Sequence, residues 1–203
     1  DALPIWYNEE TANFDLYYQL PNGSLDIFCM HIDKGYLWIG TTTNGVYRLN
    51  IDKKELEHPI RKGNIISFYR DSGGELWIGS WEEGLFHVKT DGKIENFKYD
   101  AKNPHSLSSN FVRACCEDNL GNIWIGTFNG LNRYNKSTGL FQNHTANDIQ
   151  SDGLTHSSIW CIVKDNQGTL WLGTYFGGVN YFNPEYEIYT RYSYSRSEEH
   201  TSE

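Results

Sequence analysis

Long apolar runs are missing from this 203-residue sequence. Without a stretch of about 18 such residues, no segment reads as a membrane-spanning helix. No signal peptide is visible either. Positive charge is scarce: 17 Lys and Arg stand against 26 Asp and Glu, for a net charge of −9. Nucleic acid and anionic lipid both select for a basic surface, so no nucleic-acid partner and no direct membrane contact are expected. The four cysteines, Cys29, Cys115, Cys116 and Cys161, form neither a CxxC pair nor a zinc spacing. Seven histidines include no HxH or HExxH, so no metal and no cofactor is assigned. There is no GxSxG nucleophile turn. Glu82 and Glu83 are adjacent and diverge, which makes a poor acid/base pair, so no catalytic residue is assigned. Long helical periodicity is absent, which leaves strands.

What the sequence does have is a recurring core. Leu37-Trp38-Ile39-Gly40-Thr41 returns as Leu76-Trp77-Ile78-Gly79-Ser80, as Ile123-Trp124-Ile125-Gly126-Thr127 and as Leu170-Trp171-Leu172-Gly173-Thr174. The tryptophans are spaced by 39, 47 and 47 residues, the mark of a repeat architecture. Before each core an apolar run ends in Asp33, Asp71, Asp118 or Asp165. After it come a Gly turn, a third run such as Leu131-Asn132-Arg133-Tyr134-Asn135, and a closing polar-aromatic run such as Leu140-Phe141-Gln142-Asn143-His144.

Four short strands bounded by Gly, Asn and Asp turns make one propeller blade. One such sheet cannot bury both faces alone, so blades stack and cover each other. The four tryptophans are therefore expected mainly as inter-blade packing, each burying on the order of 150–250 Å². The Gly after each Trp-Ile pair implies a bulge or a close backbone approach to the adjacent sheet. Aligning the units on their Asp puts Cys29, Ser67, Ala114 and Cys161 in one column of small packing residues. Cys115 and Cys116, adjacent on a strand, point to opposite faces.

The third unit carries a family resemblance. Its Ser106-Leu107-Ser108, its Val112 strand ending in Glu117-Asp118, its Gly121-Asn122-Ile123-Trp124-Ile125-Gly126-Thr127 and its Gly130-Leu131-Asn132-Arg133-Tyr134-Asn135 resemble the two-component regulator propeller repeat. That repeat is found in periplasmic sensor regions of hybrid two-component histidine kinases of Bacteroides-type bacteria. The first unit departs from the pattern: Asp33-Lys34-Gly35-Tyr36-Leu37 is one residue short, so its turn is tighter.

The fold class is all-β, a β-propeller fragment of about four and a half four-stranded antiparallel blades. Residues 1–20 overlay the second half of a unit, Tyr7 on Tyr134 and Phe14 on Phe141, and read as the third and fourth strands of a preceding blade. Blades follow at 21–57, 58–99, 100–145 and 146–192, and 193–203 is a polar tail. The resemblance implies seven blades in a complete propeller. An open array exposes apolar faces at both ends, and self-association as a homodimer is expected.

Loops entering the first strand and loops between the second and third strands share one rim. That rim gathers Trp81, Phe128, Tyr175 and Phe176 with Glu82, Asn129, His105 and His156. Flat aromatics beside amides and carboxylates suit a carbohydrate. Arg113 and Trp160 share a first-strand column with Phe28 and Ile66 near the same rim, and a charged Arg113 among apolar equivalents is expected either to bind ligand or to pair with a nearby Glu. The resemblance implies a periplasmic sensor without an enzyme activity of its own, with an oligosaccharide as ligand. A propeller polysaccharide lyase or hydrolase and a protein-binding scaffold are the alternatives.

Overall fold

The computed structural model describes residues 5–16, 18, 26–146 and 153–192. The polar tail 193–203 and the loop segments at 22–24 and 152 lie outside the described residues. No helix occurs among the described residues. A hairpin comes first, β1 (Ile5–Asn8) with β2 (Asn13–Leu16). Four antiparallel sheets of four strands follow, each with its strands in sequence order. The first blade holds β3 (Ile27–Asp33), β4 (Tyr36–Thr41), β5 (Val46–Asn50) and β6 (Leu56–Ile60). The second holds β7 (Ile65–Arg70), β8 (Leu76–Ser80), β9 (Leu85–Val88) and β10 (Ile94–Phe97). The third holds β11 (Val112–Glu117), β12 (Ile123–Thr127), β13 (Gly130–Asn135) and β14 (Leu140–His144). The fourth holds β15 (Ile159–Lys164), β16 (Leu170–Thr174), β17 (Val179–Asn183) and β18 (Ile188–Tyr192). The first strands pack in series, β3 on β7, β7 on β11 and β11 on β15, so they form the inner edges of the blades.

Two boundaries can be compared with the sequence. β6 carries the first blade through Ile60, past the expected division at 57 and 58. Pro59, which cannot donate to a ladder, is tolerated there because β6 is an edge strand. The opening hairpin pairs Tyr7 with Phe14, in the register in which Tyr134 pairs Phe141. That register matches the third and fourth strands of a blade.

The tryptophans are the packing layer. Trp38 packs into a cluster with Ile65, Leu76 and Ile78 of the second blade. Trp77 does so with Cys115, Ile123 and Ile125 of the third, and Trp124 with Ile159, Ile162 and Leu172 of the fourth. Trp171 has no described blade after it and is 36 % exposed, against 0 % for Trp77 and Trp124. Glycine follows because the next blade arrives there. A methyl group on Gly40 would sit 2.7 Å from Ile65 Cγ2, and one on Gly126 would sit 2.7 Å from Ile159 Cγ2. Each of these glycines lies across from the small column: Cys29 pairs Gly40, Ser67 pairs Gly79, Ala114 pairs Gly126 and Cys161 pairs Gly173. All four cysteines are free thiols. Cys115 faces the Trp77 cluster and Cys116 the Trp124 cluster, and burial pushes the Cys29 thiol up to about 12.

The Asp before each core has a defined task. Asp71 Oδ1 accepts Glu75 N at 2.8 Å to close the turn, and Oδ2 accepts Trp77 Nε1 at 2.8 Å. Asp118 repeats this toward Asn122 N and Trp124 Nε1, and Asp165 toward Thr169 N and Trp171 Nε1. The first blade cannot. Its shorter turn draws Asp33 into β3 opposite Tyr36, where it binds Arg70 of the next blade. Trp38 Nε1 is left buried without a partner.

Candidate functional site at the channel mouth

The rim is assembled by backbone bonds that repeat in every blade. Thr42 N donates to Asp26 O, Trp81 N to Asn64 O, Phe128 N to Phe111 O and Tyr175 N to Ser158 O, all at 2.8–3.0 Å. These bonds tie the loop between second and third strands to the loop entering the first strand of the same blade, as expected. A second set reaches the following blade: Gly45 N to Gly63 O, Gly84 N to Asn110 O and Gly130 N to Ser157 O. The residue ending each Trp core shapes the turn. Thr41, Ser80, Thr127 and Thr174 donate their hydroxyls to the carbonyls of Gly45, Gly84, Gly130 and Gly178 at 2.8–3.0 Å. Each of those glycines has a positive φ, which a side chain would strain.

Every first strand carries a bulge at the same place. Its register shifts between Ile27 and Cys29, between Ile65 and Ser67, between Val112 and Ala114, and between Ile159 and Cys161. The extra residues are Phe28, Ile66, Arg113 and Trp160. A bulge residue has no ladder partner and its side chain is re-aimed. Here all four line one cavity of about 330 Å³ together with Asn64 and Trp81, so each blade contributes to its wall.

Arg113 is the centre of the wall. Its guanidinium carbon lies 4.0 Å from the Trp160 ring centroid, 5.1 Å from Trp81 and 5.6 Å from Phe128. Nη1 donates to Ser158 Oγ at 3.2 Å, and Nε is buried without a partner. Among the described residues no carboxylate pairs with Arg113. Burial pulls its pKa below the ordinary value, with a smaller opposing effect from Tyr175. Asn64 Oδ1 is likewise buried and unpartnered.

The expected rim residues divide. Trp81, Arg113 and Trp160 line the cavity, and Phe128 flanks Arg113. Tyr175 stacks on Trp160 at 5.6 Å, and Phe176 meets Tyr175 edge-on at 4.3 Å and His156 at 6.1 Å. Glu82 and Asn129 are exposed and do not line the cavity. His105 lies away from it: its ring nitrogen meets Phe141 O of the outer strand β14 at 3.3 Å. The reason is the short turn from Asn103 to Ser106, whose backbone bond turns the loop outward along β14. Glu83 is held by Lys62 at 2.7 Å and Lys98 at 2.8 Å, which lower its pKa. Phe28, Ile66 and Asn64 were not among the expected ligand contacts, although the column that contains Arg113 and Trp160 named the first two.

Three stretches of the chain, 59–82, 106–129 and 153–176, match the profile of the family described as two component regulator propeller. The matched stretches run through the first two strands of the second, third and fourth blades. In the first blade the matched stretches reach only Pro59 and Ile60, at the end of β6. No curated protein matches the chain. Virginiamycin B lyase from Staphylococcus aureus is similar in fold, with a TM-score of 0.68 at 14% identity over 88% of this chain and 59% of that one. PorZ, a surface component of the type-IX secretion system of Porphyromonas gingivalis, has a TM-score of 0.65 at 11% identity, over 89% of this chain and 30% of that one. The extracellular domain of a hybrid two component system assigned in B. thetaiotaomicron overlaps 93% of this chain and 32% of that one at 19% identity, with a TM-score of 0.46. The chain therefore spans between about a third and three fifths of the length of these structures.

Proposed function

We propose that this propeller is the periplasmic ligand-sensing region of a hybrid two-component histidine kinase and that its ligand is an oligosaccharide. The observation that carries the reading is the composition of the cavity at the channel mouth. Its walls are Phe28, Ile66, Trp81 and Trp160, and its polar groups are Arg113 and Asn64. Aromatic faces take sugar C–H surfaces while the polar groups take hydroxyls. The wall has no pair of groups able to donate and accept a proton across a bond, which favours binding over turnover. The repeat profile supports the sensor class.

Self-association belongs to the same reading. The leading face of the first blade exposes Met30 and Ile32, and the trailing face of the fourth exposes Val163, Trp171 and Tyr192. These are the positions that other blades use against their neighbours. A homodimer covers one or both faces, and light scattering at tens of micromolar tests it; a monomer mass overturns it.

Calorimetric titration against defined plant, host and microbial oligosaccharides, with chromatography of the mixtures afterwards, tests the sensor reading. Saturable binding without product is expected, weakened by Trp81→Ala. Product formation would convert the reading to a lyase or hydrolase.

A further inference from the structure

We infer that the cavity at the channel mouth selects an acidic sugar and that Arg113 receives its carboxylate. The inference rests on the sensor reading above and narrows its ligand class. Three observations combine. First, a guanidinium carries five N–H donors in a planar fork suited to a carboxylate. Ser158 takes one of them and no described acid takes the rest. Second, the faces of that guanidinium are covered by the rings of Trp160, Trp81 and Phe128. Stacking fixes the plane of the fork and partly offsets the cost of burying its charge, yet it supplies no acceptor. Third, apart from Arg113 the cavity wall is apolar but for Asn64, whose Oδ1 is buried and unpartnered. A uronic acid presents a carboxylate for the unpaired donors and an apolar ring face for the indoles.

Structural needs do not account for Arg113. The equivalent bulge residues are Phe28, Ile66 and Trp160, so the blade does not require a cation there. The carboxylate of Glu83, on the loop that follows Trp81, is committed to Lys62 and Lys98. A cavity of about 330 Å³ is at the small end of ligand sites, roughly 300–1,000 Å³, and matches one terminal sugar unit better than a long chain segment.

The test is calorimetric titration of the whole chain with oligosaccharides ending in galacturonate, glucuronate or iduronate, each beside its carboxyl-reduced counterpart of equal length. At least one acidic member is expected to bind about tenfold or more tightly than its reduced partner, the size of a charge-assisted hydrogen bond. Arg113→Met is expected to abolish that preference, bringing the acidic sugar to the same affinity as its reduced partner, and Arg113→Lys to keep part of it. Thermal melts confirm that each variant folds. Acidic and reduced sugars binding equally would overturn the acidic ligand and leave saccharide sensing standing. A preference that survives Arg113→Met would overturn the role of Arg113. Absence of binding by every acidic and neutral sugar would overturn both readings.

Discussion

Trp124 Nε1 donates to Asp118 Oδ2 at 2.7 Å inside a fully buried layer, and Asp118 also closes the turn through Asn122 N. Asp118→Ala removes these bonds and those from Leu120 N and Asn122 Nδ2, and strands a buried indole N–H. The expected loss is about 1–3 kcal/mol of stability, read by urea denaturation. Asp165→Ala should shift the midpoint much less, because its partner Trp171 is already part-exposed.

The close approach at the Trp-core glycines gives a second comparison. Gly126→Ala forces a methyl group against Ile159 of the following blade, and overpacking of this kind costs about 1–3 kcal/mol. Gly173→Ala meets only Cys161 Sγ of its own sheet, at 2.5 Å. Thermal melts of the two variants should therefore show the larger drop for Gly126→Ala. Equal drops would mean that inter-blade approach is not what fixes glycine there.

Lys136 bridges the second and third blades, with Nζ 2.7 Å from Asp71 Oδ2 and 3.1 Å from Glu117 Oε1. Both carboxylates are nearly buried while the lysine is 30% exposed. Burial alone would raise the Asp71 carboxyl, but Lys136 and the Trp77 indole overcome it and hold it below the ordinary range. Lys136→Met is expected to cost about 1–3 kcal/mol, between an exposed pair and a fully buried one. It should also move acid unfolding to higher pH. A depressed carboxyl contributes stability that is lost as pH falls through its folded pKa, and removing the lysine raises that pKa.

Two histidines set a separate phase. Burial lowers the pKa of His87, against the opposing hydrogen bond from Glu75, and burial also lowers that of His144. The unfolded chain then takes up these protons more readily than the folded one. Stability is full above the unfolded histidine value of about 6.5 and declines as pH drops below it. Melting temperature should fall between pH 7 and 5, before the carboxylates titrate, and the double variant His87→Gln, His144→Gln should flatten that decline. An unchanged slope would show that neither imidazole is the source.

Much of the fold could be read from the Trp cores, because a repeat reports its own period and its strand order follows from the turns. The tight turn at Lys34-Gly35 was also visible as a missing residue. Its consequence was not: only the packed blades show Asp33 turned to Arg70 and the Trp38 indole left alone. The site was legible by residue type and less by place. Trp81, Arg113 and Trp160 line one cavity, whereas Glu82 and Asn129 are exposed and do not line it. The Gly after each Trp-Ile pair signalled a bulge or a close approach, but not that the extra residue sits in the first strand beside the residue paired with that Gly. Only alignment of the four copies sets Phe28, Ile66, Arg113 and Trp160 in one column.

That bulge separates two tasks within one strand. Residues on either side of it pair across the ladder and pack against the neighbouring blade, so a change there disturbs the architecture. The inserted residue pairs with nothing in the ladder and faces the mouth of the channel. Four such positions, one from each blade, can therefore diversify independently of the scaffold. In that sense the repeat works as a socket with exchangeable pins: a single substitution at one of these positions changes the chemistry of the cavity wall and leaves the ladder of the blade intact.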